Sequence, residues 1–272
     1  MLVVVYYFLT FIIGICIGSF LNVVVYRFQK NLSIIHPRSF CPNCKKKLSL
    51  RENIPLLSYL IQRGKCINCN GSISFRYPLI EFLTGILFII FVKSSPSFFI
   101  SNSSLFLNLF FNWLFLSLLI CIALIDIDSF WIPQGLINFG FISGILGLIL
   151  IGLFDNQYID FYLLLKGLST SLSAFFIFES LRYLAKCFFK KDAIGMGDSK
   201  LVAMLALWVG PVGTLFAVGM SYIFAGIYCL LGLSINFVKS GQAIPFAPFL
   251  SLGALFVWLL GNDFIFEKIL RI

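Results

Sequence analysis

Aspartates at the ends of apolar runs are the residues of this sequence best suited to chemistry. Asp198 stands in Gly195-Met196-Gly197-Asp198, where a polar stretch runs into the hydrophobic segment Leu201 to Val209. A carboxylate at the edge of a membrane span is costly to keep there, which makes it a functional candidate. Asp126 and Asp128 close a second apolar run, Leu105 to Ile125, in Leu124-Ile125-Asp126-Ile127-Asp128. Two carboxylates brought together disfavour double ionisation, so one stays an acid while the other serves as a base. Hydrolysis of a peptide by a water held between two carboxyl groups requires that division. Gly195 and Gly197 are expected to give the loop backbone angles closed to other residues, letting it approach a substrate strand. Each string alone has a plain alternative: a glycine turn before a helix capped by Asp198, or aspartates merely solvated at an interface.

The cysteines divide into two sets. Cys41-Pro42-Asn43-Cys44 and Cys66-Ile67-Asn68-Cys69 form two CxxC knuckles. Two residues between thiolates let both reach one tetrahedral ion, and the second knuckle closes the site, so structural zinc with no open position is expected. Lys45, Lys46 and Lys65 would help keep the thiolates deprotonated. Disulfides are the alternative, disfavoured in a reducing cytosol; a redox CxxC would need a βαβ setting that is absent. His36, the only histidine, is expected to be a plain loop residue beside a filled cluster. Cys16, Cys121, Cys187 and Cys229 fall singly in or beside apolar runs, as small buried hydrophobes do.

Composition decides what must position these groups. The chain is 60% hydrophobic and 11% charged, with a mean hydropathy of +1.01, against about 45–50% and about 25% in soluble domains. An all-α polytopic membrane protein is expected. Eight apolar segments approach the length of a span: 2–25, 78–92, 105–125, 135–153, 161–185, 199–210, 212–236 and 246–261, the sixth short and interrupted by Gly210-Pro211. The first lacks a basic n-region and a small-residue cleavage site, so it reads as a retained helix with its N-terminus outside.

Of the 20 basic residues, 16 lie between Arg27 and Arg76, between Arg182 and Lys200, or at Lys239. The alternate loops, Ser94–Ser104 and Asp155–Asp160, hold none. The basic side is therefore expected to be cytoplasmic, and both aspartate motifs fall on it. Positive-inside bias and anionic lipid headgroups account for the net charge of +9 without nucleic acid. The 33 phenylalanines suit lipid-facing packing. Gly140, Gly144 and Gly147 suggest close helix approach, and Glu179 with Arg182 suggests a structural ion pair.

Six strings follow one another along the chain: Gly18-Ser19-Phe20-Leu21-Asn22 with Tyr26-Arg27; Pro37-Arg38-Ser39; Glu52-Asn53-Ile54-Pro55-Leu56-Leu57-Ser58; Ser74-Phe75-Arg76-Tyr77-Pro78-Leu79-Ile80-Glu81; Ile125-Asp126-Ile127-Asp128 with Ile132-Pro133; and Gly195-Met196-Gly197-Asp198-Ser199-Lys200. Taken in that order they resemble the type IV prepilin peptidases, the bifunctional leader peptidases and N-methyltransferases of bacterial pilus and type II secretion systems. The resemblance implies a GxGD membrane aspartic peptidase whose catalytic pair is Asp126 and Asp198. Asp128, Gly195, Gly197 and Lys200 would support them, although Lys200 is equally suited to anchoring at the interface; Asn22 could line the site. Gln134 stands where many members have an acid, which weakens a role at that position only.

The implied reaction cuts the basic leader from a type IV prepilin or pseudopilin precursor at the cytoplasmic face of the bacterial inner membrane. Methylation of the new N-terminal residue from S-adenosylmethionine would follow. Methyl transfer rests on the resemblance and on the zinc loop, which the family's methylating members share, with Glu52, Asn53, Arg76 and Glu81 as candidates near that activity. The implied organisation is a first helix at 1–26, a cytoplasmic zinc-ribbon-like loop at 27–77 and a peptidase domain at 78–272. A transporter relaying protons through the aspartates and a zinc-bearing scaffold of a secretion system are the rival readings.

Overall fold

The computed structural model describes residues 2–94, 103–156, 161–190, 195–239 and 242–261. The expected outer loops at 94–104 and 155–160, and Lys191, lie largely outside the described residues. The chain divides into two units, Met1–Phe99 and Ile100–Ile272.

In the first unit, α1 (Leu2–Gln29) packs along α3 (Arg76–Ser94). Small residues set that approach: a Cβ on Gly14 would lie 2.7 Å from Gly85 Cα, and one on Gly18 would lie 2.8 Å from Glu81 Cα. Within a bilayer such fit replaces the hydrophobic effect as the source of helix association. Arg27, in the last turn of α1, is buried and ties down the loop that follows. Its guanidinium donates to the carbonyls of Ser33 (2.8 Å), Ile34 (2.9 Å) and Pro37.

The loop contains a 3-10 turn (Arg51–Asn53), the short α2 (Leu57–Ile61) and two matching hairpins. Antiparallel bridges Phe40–Lys47 and Lys65–Ser72 each close over one CxxC. Both knuckles are built alike. Lys45 N–H donates to Cys41 O and Asn70 N–H to Cys66 O, each at 2.9 Å. Both residues adopt the left-handed conformation (φ 60° and 53°) that turns the chain back.

The second unit comprises α4 (Ser103–Ser129), α5 (Gln134–Asn156), α6 (Phe161–Phe189), α7 (Met196–Ser234) and α8 (Ala247–Leu260). Its core gathers Phe115, Ile122, Ile137, Leu201, Met204, Leu205 and Leu250, with Phe115 stacked on Trp208 at 4.7 Å. The glycines of α5 admit side chains from neighbouring helices. A Cβ would meet Met204 at Gly140, Leu207 and Trp208 at Gly144, and Phe111 at Gly147. Trp208 also donates to Gly140 O at 3.0 Å. Glu179 and Arg182 form the expected ion pair at 2.8 Å.

α7 is continuous in its assignment but breaks at Gly210 (φ 72°, ψ −179°), just before Pro211. Twenty-four residues of straight helix would carry Tyr222 about 36 Å from Asp198. The two nevertheless interact electrostatically, so the chain reverses at Gly210. The expected sixth and seventh spans are the two arms of this helix.

Among the described residues, five helices are long and apolar enough to cross a membrane: Val3–Gln29, Phe106–Ser129, Gln134–Phe154, Phe161–Phe188 and Met196–Ser234. α8 is apolar but has only 14 residues, and α3 carries Arg76, Glu81 and Lys93. The protein is an all-helical integral membrane protein. One expectation about the lone cysteines needs correction: only Cys121 is buried, while Cys16 and Cys187 are exposed and Cys229 is half-buried. Among the described residues, nothing covers the helix faces that carry Cys16 and Cys187.

Candidate active site

Three helix ends meet in the second unit: the end of α4 and the starts of α7 and α8. Asp126, in the last turn of α4, is buried at 5% exposure, whereas Asp128 is exposed. Two residues on a helix turn the side chain by about 200°, so only one of them can face the interior. Asp126 Oδ2 accepts the backbone N–H of Ala247 at 3.0 Å. That N–H belongs to the first turn of α8, where backbone donors have no partner within the helix and the dipole favours a negative charge.

Asp198 lies in the first turn of α7 and interacts electrostatically with Asp126. Its Oδ2 accepts the Gly195 N–H at 3.2 Å, while Asp198 N–H donates to Gly195 O at 3.2 Å. The carboxylate thus reaches back to the N-cap N–H, the half of a capping box that an acid at N3 supplies; Gly195 has no side chain to return the bond. Capping and proximity to Asp126 coexist, because the cap engages one oxygen.

Gly195 has φ −72° and ψ 144°, and neither it nor Gly197 has positive φ. The expectation of unusual backbone angles is therefore corrected: space is the reason for these glycines. A Cβ at Gly195 would sit 3.0 Å from Asp198 Oδ2, and one at Gly197 would sit 3.3 Å from Ile132. Lys200 Nζ donates to Gln134 Oε1 at 2.7 Å, joining the start of α7 to the start of α5.

Two features of this site escaped the sequence reading. One is Ile244-Pro245-Phe246-Ala247-Pro248, whose paired prolines before an apolar run are a helix-start signal and whose Ala247 holds Asp126. The other is Tyr222, which packs on Phe246 with ring centroids 5.2 Å apart. No local spacing announces it.

In the first unit the sulfurs of Cys41, Cys44, Cys66 and Cys69 all lie within 4.8 Å of one another, with Cys41 and Cys69 at 3.9 Å. Four sulfurs about 2.3 Å from one tetrahedral zinc would be about 3.8 Å apart, so the cluster fits such an ion. Backbone N–H groups of Cys69 and Asn68 pull the Cys66 thiol down to about 7, while burial and the neighbouring sulfurs push Cys69 up to about 11; a bound cation would offset that crowding of thiolates.

Glu52, Asn53 and Glu81 come together around a cavity of about 180 Å³ between α1, the loop and the start of α3. Arg76 lies outside that lining. Asn22 also lines it and donates to Tyr77 O at 3.1 Å; it belongs to this cavity in the first unit. Hydrogen bonds from Ser49 hold the Glu52 carboxyl below its ordinary range.

Residues 12–94 match the bacterial peptidase A24 N-terminal domain, and residues 113–230 match the type IV leader peptidase family. The chain is 34% identical to a "Type 4 prepilin-like proteins leader peptide-processing enzyme" of Escherichia coli O78:H11, covering 89% of each chain. It is 36% identical to a "Prepilin leader peptidase/N-methyltransferase" of Myxococcus xanthus, over 81% of this chain and 62% of that protein. It is 32% identical to the protein of the same name in Bacillus subtilis, over 94% of each. No solved structure matches the chain. Two domain matches that follow one another along the chain, and relatives aligned over most of it, agree with the order of the motifs: the protein belongs to the type IV leader peptidase family.

Proposed function

We infer that the protein cleaves the basic leader from prepilin-like precursors with Asp126 and Asp198, and then methylates the new N-terminus. The observation that carries the peptidase reading is the buried Asp126, fixed by Ala247 N–H and electrostatically paired with Asp198. One carboxylate takes a proton from a water held between them, and the water oxygen adds to the scissile carbonyl carbon. The other carboxyl protonates the departing amine, and the proton it gives up is replaced by the one taken from water. Asp128 and Lys200 support the site at its rim, and Gly195 and Gly197 leave room for it.

The basic segments orient the site toward the cytoplasm, where a basic leader followed by a hydrophobic helix would present its cleavage bond. The protein then resides in the bacterial inner membrane among lipids, serving type IV pilus or type II secretion precursors. On this reading α4 to α8 form the peptidase, and the loop within 27–77 holds zinc on Cys41, Cys44, Cys66 and Cys69. The zinc folds the loop and performs no chemistry. S-adenosylmethionine supplies an electrophilic methyl group for the second step.

The test is leader cleavage of a prepilin-like precursor in detergent by Asp126→Asn and Asp198→Asn. Each variant should lose at least about a thousandfold in rate, as single losses from a unit that acts together do. Cleavage at the wild-type rate by either variant would refute the dyad. Methylation of a pre-cut substrate by both variants would show that the second activity has its own site.

A further inference from the structure

The cavity in the first unit takes no part in the peptidase chemistry, and its charge is unexpected. The segment from Arg27 to Arg76 carries ten basic residues, yet apart from the metal-cluster residues Cys41 and Cys66 only Arg27, Glu52 and Glu81 carry charge in the lining. Arg27 is committed to the carbonyls of Ser33, Ile34 and Pro37. The lining therefore has one more carboxylate than cations, inside the most basic part of the chain.

Glu81 is 8% exposed and is held in place: its Oε2 accepts Leu56 N–H at 2.8 Å. Leu56 adopts φ 60°, ψ −50° to aim that donor, a left-handed conformation that costs a leucine about 1–3 kcal/mol and clusters at functional sites. Tyr26, Tyr59 and Tyr77 also line the cavity. Carboxylates beside aromatic faces attract organic cations.

Methyl transfer involves three cations: the donor's sulfonium, the donor's own α-ammonium, and the peptide's α-ammonium, which must lose a proton before it can attack. A carboxylate against the peptide's amine would stabilise its protonated form, which cannot attack. A sulfonium has no such proton to lose, so its charge survives beside Glu81. A cavity of about 180 Å³ holds several waters and so has room for the amino-acid end of a donor.

We propose that this cavity seats the sulfonium-bearing end of S-adenosylmethionine, with Glu81 and the three tyrosines as its cation site and Glu52 at its edge. This rests on the methyl-transfer reading above. In the step that follows, the lone pair of the neutral α-amine forms the N–C bond as the S–C bond breaks. The sulfur leaves as a neutral thioether, and the amine proton passes to water.

Calorimetric titration of the purified full chain with S-adenosylmethionine and with its thioether product, S-adenosylhomocysteine, tests the assignment. Wild type should prefer the sulfonium at least tenfold. Glu81→Gln, which keeps an acceptor for Leu56 N–H, should reduce that preference below threefold. Glu52→Gln, on an exposed turn, should reduce it severalfold and covers the case in which the first variant does not fold. An unchanged preference in both variants overturns the proposal. So does loss of binding to a peptide that begins with Phe while the sulfonium preference stays. If wild type methylates but shows no preference, this assignment alone fails; if it neither methylates nor binds either ligand, the methyl-transfer reading falls with it.

Discussion

Asp126 and Ala247 are 121 positions apart, and one hydrogen bond of 3.0 Å joins them. It ties the end of α4 to the start of α8 and leaves the second carboxylate oxygen of Asp126 for chemistry. The donor is a backbone group, so no substitution at position 247 other than proline removes it directly. Replacing Ala247 by Val should thus preserve the bond, and it tests whether space beside Asp126 matters. We expect cleavage to fall about tenfold or more, because Ala247 is fully buried and overpacking shifts backbone positions. An unchanged rate would mean that the start of α8 tolerates displacement.

Gly210 and Gly253 separate two kinds of glycine requirement. At Gly210 nothing lies within 4 Å of an added Cβ, but φ is +72°. Gly210→Ala should cost about 1–3 kcal/mol through backbone strain alone and should lower cleavage by loosening the reversal that returns Tyr222 to Asp198. Gly253 has room for neither: a Cβ would lie 2.2 Å from Ala217 O. Gly253→Ala should cost about 1–3 kcal/mol as the arms of α7 and α8 are forced apart. Thermal melting in one detergent measures both.

The four-cysteine cluster predicts a pH-dependent metal content. Protons compete with a metal for all four thiolates, so metal affinity should fall as the pH is lowered. Cys41→Ser or Cys66→Ser should abolish stoichiometric zinc at pH 8, read by elemental analysis. Unchanged zinc in both variants would remove the assignment.

Lys200 and Gln134 make a surface contact at 2.7 Å. Lys200→Met should change stability by about 1 kcal/mol or less. A drop in cleavage of more than about tenfold would place Lys200 in the reaction; a rate within twofold of wild type leaves it as a brace between α5 and α7.

The amino-acid sequence determined the membrane character, the two knuckles and the positions of the aspartates at the ends of apolar runs. These are properties of composition and of spacing over a few residues: hydrophobic length sets a span, and two residues between thiolates set a knuckle. It also exposed Gly210-Pro211 as a break. Only the tertiary structure decided that Asp126 faces the interior while Asp128 does not, because a helix end shows no preferred face until neighbours pack on it. The same holds for Ala247 as the donor, for Tyr222 beside Asp198, and for the gathering of Glu52, Asn53 and Glu81 without Arg76. The glycines of the Gly195–Asp198 string show the limit from the other side. Their identity was legible, but the reason lay in the space beside Asp198 and Ile132, which exists only once the start of α7 meets the turn between α4 and α5.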